Sequence, residues 1–244
     1  MCNKLTGTEI SSFKVSGYLG PFQLMTQEEM SLVTPQIEQV LKSPGITSSQ
    51  IQNRHLDHQL VLYLATHPAI IERMVSLYGE NLLLWRTNFF VKNSSSKRIP
   101  WHQDGNYWPL EPPVVCTAWI AIYPSTVENG CLQIIPGSHR TLIPHIEATD
   151  DVLFPQMGDE KYINKNEAVD VEMNPGEFIL FNERTLHHSH PNISCNRRVG
   201  LAVRVIVPFV TVLEYDGPEH VLPIIHGKDT MGFNRTSDAI CKIS

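Results

Sequence analysis

The chain has no run of basic residues, no apolar stretch long enough to cross a bilayer and no closely paired cysteines. Each shortage excludes something. With a formal net charge of −6 and no basic patch, a broad nucleic-acid surface is not expected. Without roughly 20 consecutive apolar residues, a membrane-spanning helix is not expected either. The opening residues, MCNKLTGTEISSF, lack the apolar core of a secretory leader. The five cysteines (Cys2, Cys116, Cys131, Cys195 and Cys241) are odd in number and form no CxxC. They read as reduced thiols of a cytoplasmic protein, with Cys116 and Cys131 as small core residues. No internal repeat or low-complexity tract is visible.

What is present suffices for an ordinary core: 42% of the 244 residues are hydrophobic and 18% charged. A single domain over 1–244 is expected, with a helical third at about 1–80 buttressing a β core at about 81–210 and a tail at 211–244. The first dozen residues read as a loose arm, and GYLGPF as a short strand or turn. Thr26 to Glu29 has the form of a capping box, with Pro35 either kinking the helix that follows or starting a second one. Pro44-Gly45 should end that helix, and 46–57 reads as polar loop. A buried helix follows near Leu60 to Leu64, then one opened by Pro68 and stopped by Gly79.

At Asn81 the period changes. LLLWRTNFFVKN predicts a strand, and further strands are predicted over 114–123, 131–135, 168–173, 178–181 and 199–207. The stretch 139–166 is long for a structureless loop and suits a lid or binding element. The tail is expected to pack over the barrel. Helices first, then many short strands with tight turns, predict a mainly β core with flanking helices.

The chemistry centres on Trp101-His102-Gln103-Asp104-Gly105. On an extended strand, residues i and i+2 share a face, so His102 and Asp104 would aim into one cavity. One more histidine would complete a two-histidine, one-carboxylate face, the arrangement of non-haem Fe(II) oxygenases. His187, His188 and His190 are the candidates; His188 and His190 share one strand face and His187 takes the other. Arg197 and Arg198 follow, and a buried arginine there would hold an anion such as a dicarboxylate.

Four stretches, WHQDGNYWPL, TAWIAI, ENGCLQIIPGSHR and PGEFILFNERTLHHSHPN with its following arginine, resemble the phytanoyl-CoA dioxygenase family in that order. The resemblance runs from GYLGPF to VIVPF and implies a double-stranded β-helix, a jelly-roll of cupin type. It implies Fe(II), 2-oxoglutarate and O2 as cofactors, with oxidative decarboxylation of the keto acid to succinate and CO2. His102 and Asp104 match the family's HxD pair. The family's distal histidine is followed five residues on by Asn and eleven on by the arginine that binds 2-oxoglutarate; His187, Asn192 and Arg198 meet both spacings. The match further implies Ser189, Trp119 and either Trp85 or Asn88 against the cosubstrate. A family lysine that contacts it in some members has no match. Asn106, Tyr107, Trp108 and Gln133 are the expected substrate-side residues, with parts of 140–165.

Within the family the chain resembles a short bacterial branch of small-molecule hydroxylases and related halogenases, which act on amino acids or on alkaloid and peptide natural products. The halogenases have Gly or Ala at the HxD carboxylate; this chain keeps Asp104, which implies hydroxylation of an unactivated C–H bond. Desaturation, ring closure and epimerisation are the rival outcomes. A non-catalytic metal-binding barrel or a zinc hydrolase are the rivals outside that chemistry.

Overall fold

The computed structural model describes residues 3–42 and 50–238. The expected stop at Pro44-Gly45, part of the polar loop, and Cys2 and Cys241 lie outside the described residues.

Residues expected as a loose arm form a helix, α1 (Gly7–Ser16), because Thr6 and Glu9 cap its first turn reciprocally. Gly17 ends α1 in the left-handed region and delivers the chain into β1 (Tyr18–Gln23). The capping box at Thr26 and Glu29 opens α2 (Gln27–Leu41) as read. Helix α2 runs unbroken through Pro35, which sits on its exposed face. There water can satisfy the carbonyl that the missing N–H leaves free. The polar stretch thereafter contains a strand, β2 (Gln50–Gln52), before α3 (Gln59–Ala65) and α4 (Pro68–Tyr78). Pro68 opens α4 and Gly79 caps it, and its buried stripe is Ile70, Ile71, Met74 and Val75. Burying four such side chains is worth roughly 1.5–3 kcal/mol each before chain entropy.

The remaining strands follow in order: β3 (Leu82–Lys92), β4 (Ile99–His102), β5 (Leu110–Glu111), β6 (Val115–Ala121), β7 (Leu132–Ile134), β8 (His145–Glu147) and β9 (Gln156–Gly158). Then come β10 (Val169–Val171), β11 (Glu177–Asn182), β12 (His187–Ser189), β13 (Arg198–Ile206), β14 (Thr211–Val212), β15 (Leu222–His226) and β16 (Thr236–Asp238). The larger sheet has the order β1-β11-β6-β13-β3-β15-β16, with β2 also on β3; the smaller has β10-β7-β12-β4. The two sheets form a jelly-roll core. The stretch 139–166 carries the short β8–β9 hairpin and single helical turns rather than bare loop. The tail does not simply lie over the barrel, because β15 hydrogen-bonds to β3 and extends the larger sheet.

Strands β6 and β13 are buried at every residue. One face of the larger sheet packs on the helices through Ala118, Ile120, Leu201 and Val203. The other faces the smaller sheet through Trp119, Ala121, Ile179, Phe181 and Ala202, meeting Leu132 and Ile134. A strand covered on both sides carries no polar alternation. The functional cavity opens within that second, inner core.

Candidate metal centre

Strand β4 ends at His102. Gln103 is still extended (φ −112, ψ 121), but Asp104 begins a single helical turn, Asp104–Asn106. The expectation that His102 and Asp104 share a strand face is therefore corrected: the chain turns between them, and the turn swings the carboxylate back beside the imidazole. Gln103 makes that turn rigid. Its buried amide donates to Thr141 O (2.8 Å) and Arg184 O (2.7 Å), and its carbonyl accepts from Ile143 N (3.1 Å). Gly105 N donates to Glu183 O at 2.9 Å.

Strand β12 pairs with β4 so that His187 lies opposite His102. The two rings are 4.1 Å apart between centroids, and one ligand atom each from His102, Asp104 and His187 fall within 4.8 Å of one another. All three residues are buried. His188 points the other way. Its ring lies 4.1 Å from Trp101 and its Nε2 meets Gln133 Oε1 at 2.5 Å. His190 is exposed and packs on His188.

The protonation pattern suits a cation. His102 Nδ1 is 2.8 Å from Pro100 O and His187 Nδ1 is 2.9 Å from Thr185 O. A carbonyl only accepts, so each Nδ1 carries a proton and each Nε2 is the ring nitrogen turned to the site. His102 Nε2 lies 3.5 Å from Asp104 Oδ1 in a buried site. Burial pushes the His187 imidazolium down to about 4, aided by His102, so the ring is neutral at pH 7. Burial resists ionisation of Asp104, but the Arg204 charge together with the His102 hydrogen bond and the two neighbouring imidazoles outweighs it and holds the carboxyl far below its usual range. Neutral imidazoles and an ionised carboxylate are the forms that bind a metal. Asp104 Oδ2 has no hydrogen-bond partner in the described structure.

These residues line one cavity with Phe90, Ile99, Trp119, Leu132, Phe154, Phe181, His188, Arg198, Ala202 and Arg204. Arg198 is fully buried. Its Nη1 donates to Gly130 O at 2.7 Å while Nε and Nη2 have no partner, and its guanidinium carbon sits 5.1 Å from the Trp119 ring centre. Burial lowers it to about 10, so it stays charged at neutral pH. Arg197 instead pairs with Glu38 at 2.6 Å, outside the cavity. Ser189 is buried on the His187 face of β12 with its hydroxyl unpartnered.

Other expectations are corrected. Trp85 lies in the helix-side core, its ring against Trp108, and does not face the cavity. Asn88 is on the inner face but its carbonyl is taken by Arg204 Nη1 (2.5 Å). Gln133 points away, held by Asp170 and His188, because its neighbours Leu132 and Ile134 take the inner face. Asn106 is exposed at the rim and donates to Gln156 Oε1 (3.1 Å). Trp108 stands outside the cavity, 5.0 Å from the Arg204 guanidinium. Tyr107 is nearer: its ring is 5.7 Å from His102 and its hydroxyl donates to Gln156 O at 2.7 Å. The sequence reading missed Gln103, Phe154 and Arg204. Phe154, from the 139–166 stretch, stands edge-on 4.9 Å from His102. Arg204 had a signal, a lone charge within the apolar run VGLAVRVIVPF. Lys92 is buried beside Arg198, and burial with that neighbouring charge lowers its ammonium to about 6. Its Nζ is spent on the backbone carbonyls of Lys97, Ser189 and His190.

Fold and cluster together define a jelly-roll protein built around a buried two-histidine, one-carboxylate centre with an arginine in the same cavity. The chain belongs to the phytanoyl-CoA dioxygenase family, whose model matches residues 13–200. It is 31% identical over 157 residues to the peroxisomal phytanoyl-CoA dioxygenase of Bos taurus, covering 60% of this chain and 45% of that protein. It is 27% identical over 184 residues to a probable phytanoyl-CoA dioxygenase of Caenorhabditis elegans, covering 67% and 59%. The chain thus spans about half the length of these curated relatives. Among solved structures, CytC3 with Fe(II) and alpha-ketoglutarate superposes with a TM-score of 0.77 at 26% identity, covering 97% of this chain and 95% of that one.

Proposed function

We propose that this protein is an Fe(II)- and 2-oxoglutarate-dependent oxygenase that hydroxylates an unactivated C–H bond of a small molecule. The observation that carries the reading is the convergence of His102, Asp104 and His187 in the cavity that also holds Arg198 with two unpartnered nitrogens. His102, Asp104 and His187 would hold the iron, leaving positions open for ligands. With O2, iron and keto acid together supply the oxidising power for C–H cleavage, the keto acid leaving as succinate and CO2.

The chain's own residues bind, orient and shield. Arg198 offers Nε and Nη2 to the far carboxylate of the keto acid, each charge-assisted bond worth about 1.5–3 kcal/mol. Ser189 offers a hydroxyl, and Trp119 supplies an apolar wall on which the Arg198 guanidinium rests. Gln103 fixes the turn that aims Asp104. Phe154 and Tyr107 cover the His102 side and keep water from it. The reading includes a cytoplasmic setting, supported by free thiols at Cys116, Cys131 and Cys195.

The test is an anaerobic titration of the purified chain with Fe(II) and 2-oxoglutarate, followed by succinate release on admitting air. A visible metal-to-keto-acid charge-transfer band and succinate are expected from the wild type, and neither from Asp104→Ala. Wild-type protein that gives no band at saturating metal and keto acid refutes the assignment.

A further inference from the structure

The inner face of β13 presents, at every second residue, Arg198, Gly200, Ala202 and Arg204. Two cations flank two small residues, with about 20 Å of strand between the outer pair. The function proposed above uses Arg198 and gives Arg204 no ligand to bind. Arg204 is 6% exposed and lines the same cavity. Nη1 donates to Asn88, Nη2 lies 3.9 Å from Asp104 Oδ2, beyond hydrogen-bond length, and Nε has no partner.

A buried guanidinium cannot shed its proton and requires a counter-charge. In the chain alone Asp104 supplies it. The inference rests on the proposed function, in which Asp104 turns its charge to the metal. There the divalent metal and the dicarboxylate cancel, and Asp104 and Arg198 cancel. Arg204 is left over. Among the described residues Asp104 is the only acid lining the cavity. Arg86, across the strand pair from Arg204, is already matched by Asp216 at 2.6 Å. Lys92, beside Arg198, brings no negative charge.

We propose that Arg204 docks a carboxylate of the organic substrate, so that the substrate class is a small organic acid. Its carboxylate would sit beside Asp104 and its apolar part against two aromatic residues of the cavity, Phe90, 5.8 Å from the Arg204 guanidinium, and Phe154, edge-on to His102. The two arginines then divide the labour: one grips the keto acid, the other the molecule to be oxidised.

The full chain, loaded anaerobically with Co(II) and saturating 2-oxoglutarate, is titrated with butyrate and separately with butyramide, and the Co(II) absorbance bands are followed. Butyrate is expected to give a saturable change, with butyramide at least tenfold weaker and the preference gone in Arg204→Gln. A flat butyrate titration, equal response to acid and amide, or an unchanged preference in Arg204→Gln overturns the proposal. Should Arg204→Gln not fold, the acid-against-amide comparison in the wild type decides alone. Failure of Co(II) and 2-oxoglutarate to assemble on the wild-type chain is a separate result, seen before butyrate is added, and defeats the oxygenase reading itself.

Discussion

Three adjacent histidine candidates separate cleanly by what each ring touches. His187 faces His102 and Asp104, whereas His188 is stacked on Trp101 and bound to Gln133. His187→Ala should therefore weaken Co(II) binding by at least tenfold, while His188→Ala should leave it within about threefold of wild type; calorimetric titration reads both. The reverse order would move the metal to the other face of β12. Arg198→Ala removes two free donors and should raise the 2-oxoglutarate KM by roughly tenfold or more, with a smaller effect on kcat. An unchanged KM, with the rise appearing instead in Arg197→Ala, would shift that role by one residue.

At the scale of the element, β13 works because its inner face narrows between its arginines. A Cβ on Gly200 would stand 1.9 Å from Trp119 Cζ2, inside the ring that walls the cavity. Gly200→Ala must displace Trp119 or bend the strand, at a cost of about 1–3 kcal/mol. Thermal unfolding should show a lower Tm, and 2-oxoglutarate binding should weaken with it because Arg198 rests on the same ring. The 139–166 stretch is tied down at several points. Leu153 N donates to Arg98 O (3.2 Å), Arg98 pairs with Asp151 (2.8 Å), and Gln156 O accepts from Tyr107 (2.7 Å). Those ties hold Phe154 over His102.

For the whole molecule, Glu183 gives stability a pH dependence. Glu183 is buried behind the turn that holds Asp104, and burial raises its carboxyl from 4.5 to about 7 despite bonds from its own and the Val115 backbone. A carboxyl whose pKa is raised by folding stabilises the fold fully below its unfolded pKa. That contribution is lost as pH climbs through the folded value. At about 1.4 kcal/mol per pH unit, up to about 3 kcal/mol is at stake between pH 4.5 and 7. Glu183→Gln should thus match the wild type near pH 5 and be more stable at pH 8 by chemical denaturation. A stability difference that does not change with pH would rule out this origin. Glu38 of α2 takes both Arg197 (2.6 Å) and Tyr123 (2.9 Å), pinning the helical layer to the barrel.

Much of this was legible in the residues themselves. The change of period at Asn81, the capping box at Thr26, and Pro68 opening a helix that Gly79 closes are local signals. They depend on backbone geometry that the chain carries with it. Other features escaped because they concern which side of a strand is inside. Alternation states that Leu132 and Gln133 oppose one another, or Trp85 and Arg86; it does not state which one meets the cavity. That choice is made when two sheets and a helical layer pack, since apolar side chains bury well against either the helices or the opposite sheet. The same packing turned Gln133 and Trp85 away, brought Phe154 across from a distant stretch, and buried Arg204 beside Asp104. The sequence by itself determined the capped helices, the long strands and the residue types offered to the site; only the tertiary structure decided the faces, because burial is a property of the assembled layers and not of any one strand.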